Sequence, residues 1–212
     1  MKVTMVGISG SGKTAFMSAL NDTLGGGEID SGFQITPRPS NNTISEAILK
    51  VGDLSQLSIS QTMSFPDGTK KTTIWPFNVI YKSKPITYFD WIDYRGGILT
   101  DIFSPNRNEA EIVDLISHII ASNAVILLVD SFTLTYFSDI REARIRSGAH
   151  IIIQLFEAYS RYYPERDLIF AIALTKADTV EDKWKSSDYS LLIDRGMQVF
   201  EPLIRLCKRK TS

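Results

Sequence analysis

Gly7-Ile8-Ser9-Gly10-Ser11-Gly12-Lys13-Thr14 is the stretch on which the reading of this chain turns. It matches the pattern G-x-x-x-x-G-K-[ST], and the spacing has a chemical reason. Glycines let a backbone wrap closely around phosphate oxygens with its N–H groups pointing inward. A helix starting near Gly12 aims its positive dipole end at the same anion. Lys13 can then reach the outer phosphates, and the Thr14 hydroxyl can ligate Mg²⁺. The residues expected to line this cradle are Gly7, Ser9, Gly10, Ser11, Gly12, Lys13, Thr14 and Ala15. With glycine near 7% of residues, four fixed positions match by luck in roughly one chain of this length per hundred. The match is therefore informative, the more so because it falls between a strand and a helix.

Working outward, Val3, Met5 and Val6 form a short apolar run that predicts a buried strand. After Lys13, the residues Ala15, Phe16, Ala19 and Leu20 share one helical face to about Leu24, where Gly25-Gly26-Gly27 stops the helix. Residues 25–71 read as an insertion. Pro37 and Pro39 are expected to break regular structure, and Thr43-Ile44-Ser45-Glu46 opens one helix in a capping-box pattern. Ile74 to Tyr81 and Ile86 to Ile92 read as strands of a hairpin turning at Ser83-Lys84-Pro85. A helix is expected over Asn108 to Ala121, and a buried strand over Ala124 to Val129. One mostly helical stretch follows from Asp139 to Tyr163, bent at Gly148. A further strand spans Leu168 to Leu174, and a helical tail spans Tyr189 to Lys208 with a restart at Pro202. Strands alternating with helices imply an α/β domain with a largely parallel sheet.

Two further motifs sit at strand ends. Asp93-Tyr94-Arg95-Gly96 is a D-x-x-G. An acid there can hold Mg²⁺, and the Gly96 N–H can meet a terminal phosphate. Thr175-Lys176-Ala177-Asp178 follows the last strand and is a variant of the N-K-x-D guanine reader. A carboxylate such as Asp178 accepts from both N1–H and N2–H₂ of guanine, a donor pair that adenine lacks. The Lys176 stem can lie along the base face.

Composition narrows the remaining classes. The chain has 212 residues, 43% of them hydrophobic, and 23 Lys plus Arg against 24 Asp plus Glu. That balance argues against nucleic-acid binding as the main task. The single cysteine, Cys207, forms no internal disulfide, and two histidines make a dedicated zinc site improbable. The apolar runs, such as Ala124 to Val129, are far too short to cross a membrane. The start of the chain runs straight into the Gly7 motif and does not read as a signal peptide, so the expected location is cytoplasmic.

With these three motifs in this order, the sequence resembles the P-loop GTPases of the TRAFAC, Ras-like class over Met1 to about Asp178. Its Asp-Tyr-Arg-Gly-Gly loop, with Ile-Trp-Pro-Phe before it, looks most like the prokaryotic double-GTPase-type domains. The resemblance implies one three-layer α/β sandwich domain over residues 1–212 with a Ras-like, mostly parallel sheet. Four strands would run parallel, with the Ile74 to Tyr81 strand antiparallel at the edge. It implies GTP or GDP and Mg²⁺ as ligands, slow GTP hydrolysis as a molecular switch, and an unidentified effector or activating protein. Lys13 and a switch threonine would then be the catalytic pair, with Thr14, that threonine and Asp93 at the metal. Thr72 is the first choice, 21 residues before Asp93; Thr73, 20 before, and Thr69, 24 before, remain open. Three departures stand out. Gly97 occupies the position where many relatives carry the glutamine that orients water. The segment from Thr14 to Thr72 spans 58 positions, more than in a minimal small GTPase. The family's sixth strand and last base loop would follow the helix after Asp178, inside or just after which this sequence ends. Two other functions stay open: an ATP-dependent P-loop enzyme, and a nucleotide-bound interaction module without turnover. Arg95 could also act as an arginine finger in cis.

Overall fold

The computed structural model describes residues 1–13, 15–17, 19–20, 32–37, 72–95, 97–102, 104–105, 107–165, 167–185 and 187–210. Among them six strands form one sheet: β1 (Lys2–Val6), β2 (Phe33–Pro37), β3 (Thr73–Tyr81), β4 (Lys84–Asp93), β5 (Ala124–Asp130) and β6 (Ile169–Thr175). Their spatial order is β2-β3-β4-β1-β5-β6. β1 is parallel to β4 and β5, and β5 is parallel to β6. β3 is antiparallel to both its neighbours.

β3 is therefore not the edge strand that the sequence predicts. β2 covers it, although Pro37 and Pro39 argued against regular structure there. The segment alternates: Ile35 is buried, while Phe33 packs its ring 4.6 Å from Tyr81. Pro37 ends the strand at the sheet's edge, a place where a missing N–H is tolerated. The helix expected from Ile44 to Val51 lies outside the described residues. The hairpin turns at Lys82-Ser83, both at positive φ, so Lys84 and Pro85 belong to β4.

Helical residues 13, 15–17, 19 and 20 (α1) follow β1. The later helices are α2 (Gly97–Asp101), α3 (Glu109–Ala121), α4 (Ser131–Tyr136), α5 (Ile140–Arg146), α6 (Ala149–Tyr162), α7 (Ser190–Val199) and α8 (Glu201–Lys210). Strand alternation splits the core into two. Val6, Ile92, Val125 and Leu127 face Leu115 and Ile119 of α3, Phe156 of α6 and Leu203 of α8. Val3, Met5, Trp91 and Leu128 face Phe16 and Met17 of α1 on the other side. Helices on both faces of a mixed sheet make a three-layer α/β sandwich, and each fully buried large side chain contributes about 1.5–3 kcal/mol.

Buried polar groups are satisfied in ways that tie the layers together. Ser122 Oγ donates to the His118 carbonyl at 2.8 Å, so Thr4 Oγ1 is the donor in its 2.6 Å contact with Ser122. Arg195 of α7 is 8% exposed and donates to the carbonyls of Leu134, Phe137 and Ser138, which closes the end of α4. Pro202 sits in the first turn of α8, where its missing N–H has no helical partner to lose. None of the described helices is long and apolar enough to cross a membrane.

The sheet also determines where a site can form. The carboxyl ends of β1, β4, β5 and β6 lie along one edge. The chain passes from β4 over β1 to β5, so strand order reverses at β1, and ligands bind at such reversals in open α/β sheets.

Candidate nucleotide site

The loop after β1 is built as its glycines require. Gly10 and Gly12 have φ of 77° and 81°, left-handed values that a side chain rarely adopts. A Cβ on Gly10 would meet nothing within 4 Å, so the loop is open on that side. Ser11 N donates to Ile8 O at 3.2 Å and closes the turn, and Phe16 N donates to Gly12 O at 2.8 Å as the helix begins. Lys13 is 7% exposed. Its ammonium donates to Gly7 O at 3.0 Å and Ile8 O at 3.1 Å, so the side chain curls back over the loop. Burial pulls its pKa below the ordinary lysine value, and the negative charge of Asp93 pulls it partly back up. Ser9 is exposed on the loop, Ala15 is exposed on α1, and Thr14 lies outside the described residues.

Asp93, 2% exposed, ends β4 opposite Met5 of β1 and Thr73 of β3. Residues directly opposite in an antiparallel pair share a face. The register thus puts Thr73, the second choice of switch threonine, across from Asp93, and Thr72 one residue before the strand. Thr69 and Gly96 lie outside the described residues. Tyr94 is buried and donates to Asp114 O at 3.3 Å; burial, then the Asp114 charge, pushes its phenol far above the usual range. Arg95 does not extend freely. Its Nη2 is 2.8 Å from Asp101 Oδ2 and 2.9 Å from Glu111 Oε2, and its Nε donates to the same Glu111 oxygen at 3.2 Å. These partners raise its already high pKa, Glu111 first and Asp101 second. Gly97 opens α2 immediately after this loop.

The loop after β6 is joined to the first. Thr175 Oγ1 lies 2.7 Å from Ser11 O and 3.1 Å from Val129 O, with its one proton to donate between them. The Thr175 side chain is thus a strut between the two loops and the end of β5. Lys176 adopts φ 54°, ψ 34°, and its carbonyl accepts from Thr179 N at 3.0 Å and Thr179 Oγ1 at 2.7 Å. That short turn carries Asp178, which is exposed.

Two residues of this edge were not singled out as site residues in the sequence. Asp130 ends β5 and pairs with Lys176 at 2.7 Å. Its signal was an acid at an N-cap position before Ser131, where a helix starts. The other is Gly148. The expected long helix from Asp139 to Tyr163 is two helices, broken where Gly148 takes φ 73°. A Cβ on Gly148 would stand 2.2 Å from Ile8 Cγ2 in the first loop. Gly148→Ala should therefore destabilise the fold by about 2–4 kcal/mol, combining left-handed strain with overpacking. It should also weaken nucleotide binding by displacing Ile8, whose carbonyl holds Lys13. Urea melts check this: Ile8→Ala should recover part of the loss, and an unchanged midpoint for Gly148→Ala would refute the contact.

The residues present fit a polyphosphate. They combine two left-handed glycines, of which Gly10 faces open space, a buried cation, and a buried Ser11 hydroxyl without a partner among the described residues. Among the described residues, no group of three His, Cys, Asp or Glu side chains converges on a metal position. One carboxylate at such a position, as Asp93 offers, suits Mg²⁺ shared with phosphates, not an all-protein cage.

No protein-family profile matches the chain. No curated protein matches it either. Among solved structures, the chain is similar to the signal recognition particle receptor SRb-GTP/SRX complex from Chaetomium thermophilum. That similarity covers 99% of this chain and 81% of the other, at 15% identity and a TM-score of 0.48.

Proposed function

We propose that this chain is a cytoplasmic guanine-nucleotide-binding protein that hydrolyses GTP slowly with Mg²⁺ and acts as a molecular switch toward a protein effector or activator. The observation that carries the reading is the junction of the Gly7–Thr14 loop and the Thr175–Asp178 loop through the Thr175–Ser11 hydrogen bond. This junction supports the reading because one nucleotide needs its phosphate-binding loop and its base-reading loop at the same sheet edge.

Within this reading Lys13 leaves its backbone carbonyls to meet the phosphates, and Gly7, Ser9, Gly10, Ser11, Gly12 and Ala15 line them. Thr14, Asp93 and either Thr72 or Thr73 hold Mg²⁺, which supplies charge neutralisation at the phosphates. Asp178 reads the base, with Lys176 beside it and Thr175 bracing both loops. Identification of the nucleotide that co-purifies with the protein tests the reading. GDP or GTP is expected, whereas ATP or ADP would favour the ATP-dependent alternative.

Turnover should be slow. Gly97 brings no side chain to orient water, and Arg95 is held by Asp101 and Glu111. Single-turnover hydrolysis of GTP by the purified chain is expected to take on the order of minutes or longer. A rate near one per second would sink this expectation and return Arg95 to the role of finger. The same two features favour a second reading, a nucleotide-holding interaction module. No hydrolysis at all over hours, with GTP bound, would select it.

A further inference from the structure

Asp130 uses its two oxygens for different tasks. Oδ1 accepts from Phe132 N at 2.9 Å and Thr133 N at 3.4 Å, which caps α4. Oδ2 takes the Lys176 ammonium at 2.7 Å. One carboxylate thus joins the end of β5, the start of α4 and the base loop. The Lys176 side chain is 41% exposed and the Asp130 side chain 15%. A pair this open to water adds little to stability, because ordering a long side chain and salt screening offset its attraction. Its effect is on where the lysine sits. Lys176 also holds a left-handed backbone conformation unusual for a residue with a side chain, and such strain persists only where the surroundings impose it.

We propose that Asp130 is a positioning residue for the base, holding the Lys176 ammonium so that the lysine stem is already set as a platform for one face of the bound guanine. The proposal rests on the guanine reading above. A free lysine would have to give up its rotamers when the base arrives. A lysine tethered at its far end has given them up beforehand, so binding is tighter. Asp130 itself touches no nucleotide in this scheme and acts through Lys176 alone.

That last point gives the test. The full chain, freed of nucleotide, is titrated with ribose-labelled GDP as parent, Asp130→Asn, Lys176→Met and the double variant. Asparagine keeps an oxygen for the α4 cap but loses the charge, so nucleotide-free melting should not change. Asp130→Asn should weaken labelled GDP about threefold to tenfold when Lys176 is present, the range expected for ordering one long side chain. It should have no effect when combined with Lys176→Met. A role in folding or capping alone would give the same loss in both backgrounds, and that result, or no loss in either, overturns the proposal. Should Asp130→Asn fail to fold, Asp130→Ser offers a capping hydroxyl without charge for the same cycle. A parent that binds labelled ADP but not labelled GDP would remove the guanine reading itself, and this assignment with it. That outcome is distinct from an uncoupled cycle in a parent that binds GDP.

Discussion

Asp178→Asn should lose GTP and gain xanthosine triphosphate. In the proposed reading, the parent's carboxylate accepts two hydrogen bonds from guanine, N1–H and N2–H₂. Hydrogen bonds to a charged partner contribute about 1.5–3 kcal/mol each. Asparagine has the same size but turns a donor amide toward one of those donors. One bond is lost and a donor faces a donor, for a combined loss of about 3 kcal/mol or more, on the order of a hundredfold in affinity. Xanthine carries a carbonyl at C2 and accepts from the new amide, so its nucleotide should gain what GTP loses. Adenine offers an acceptor at N1 and would leave the parent's Asp178 unmatched. Asp178 is exposed on a short turn, and so the substitution should leave folding unchanged. Competition of labelled GDP by GTP, xanthosine triphosphate and ATP reads all three affinities at once. GTP binding by Asp178→Asn equal to the parent's, or ATP competing as well as GTP in the parent, would end the base-reading argument.

The sequence exposed those parts of the candidate site whose pattern is local. The loop from Gly7 stands out through its glycine and lysine spacing, and β1 and β5 through short, largely apolar runs. Asp93 and Thr175 are both expected at strand ends, and they end β4 beside β1 and β6 beside β5. The hidden parts depend on residues far apart in the chain. Lys176 meets Asp130 across 46 positions, and nothing in either tetrapeptide names the other. Gly148 looked like a bend because its neighbours are good helix formers. Its left-handed turn makes sense only once Ile8 is seen packed against it. β2 escaped because Pro37 and Pro39 outweighed a five-residue alternation, although a proline at the end of an edge strand loses no hydrogen bond it needs. Arg95 lies inside the D-x-x-G motif, and its ion pairs with Asp101 and Glu111 become legible only in the folded chain.

Lys13→Ala should be the most damaging change to nucleotide binding that leaves the fold standing. In the structure the ammonium sits on the carbonyls of Gly7 and Ile8, buried and with its pKa lowered. Such a group is poised for a nearby anion, because phosphate charge relieves the penalty that burial imposes on the cation. Removing it removes a charge-assisted contact to phosphate of about 3 kcal/mol. Affinity for labelled GTP analogues should fall about a hundredfold or further, with little change in nucleotide-free melting. The parent should also show a pH dependence that the variant lacks. Nucleotide binding favours protonated Lys13, so its pKa rises on binding from the lowered value of the free protein. Affinity is then full below that free-state value and declines as pH rises through it, at a pH below the ordinary lysine range. Levelling occurs only above the bound-state value. Lys13→Ala has no such proton to lose, and its weaker affinity should stay flat over the same range. Unchanged binding by Lys13→Ala, or an identical alkaline decline in both proteins, would move the phosphate contact to another residue.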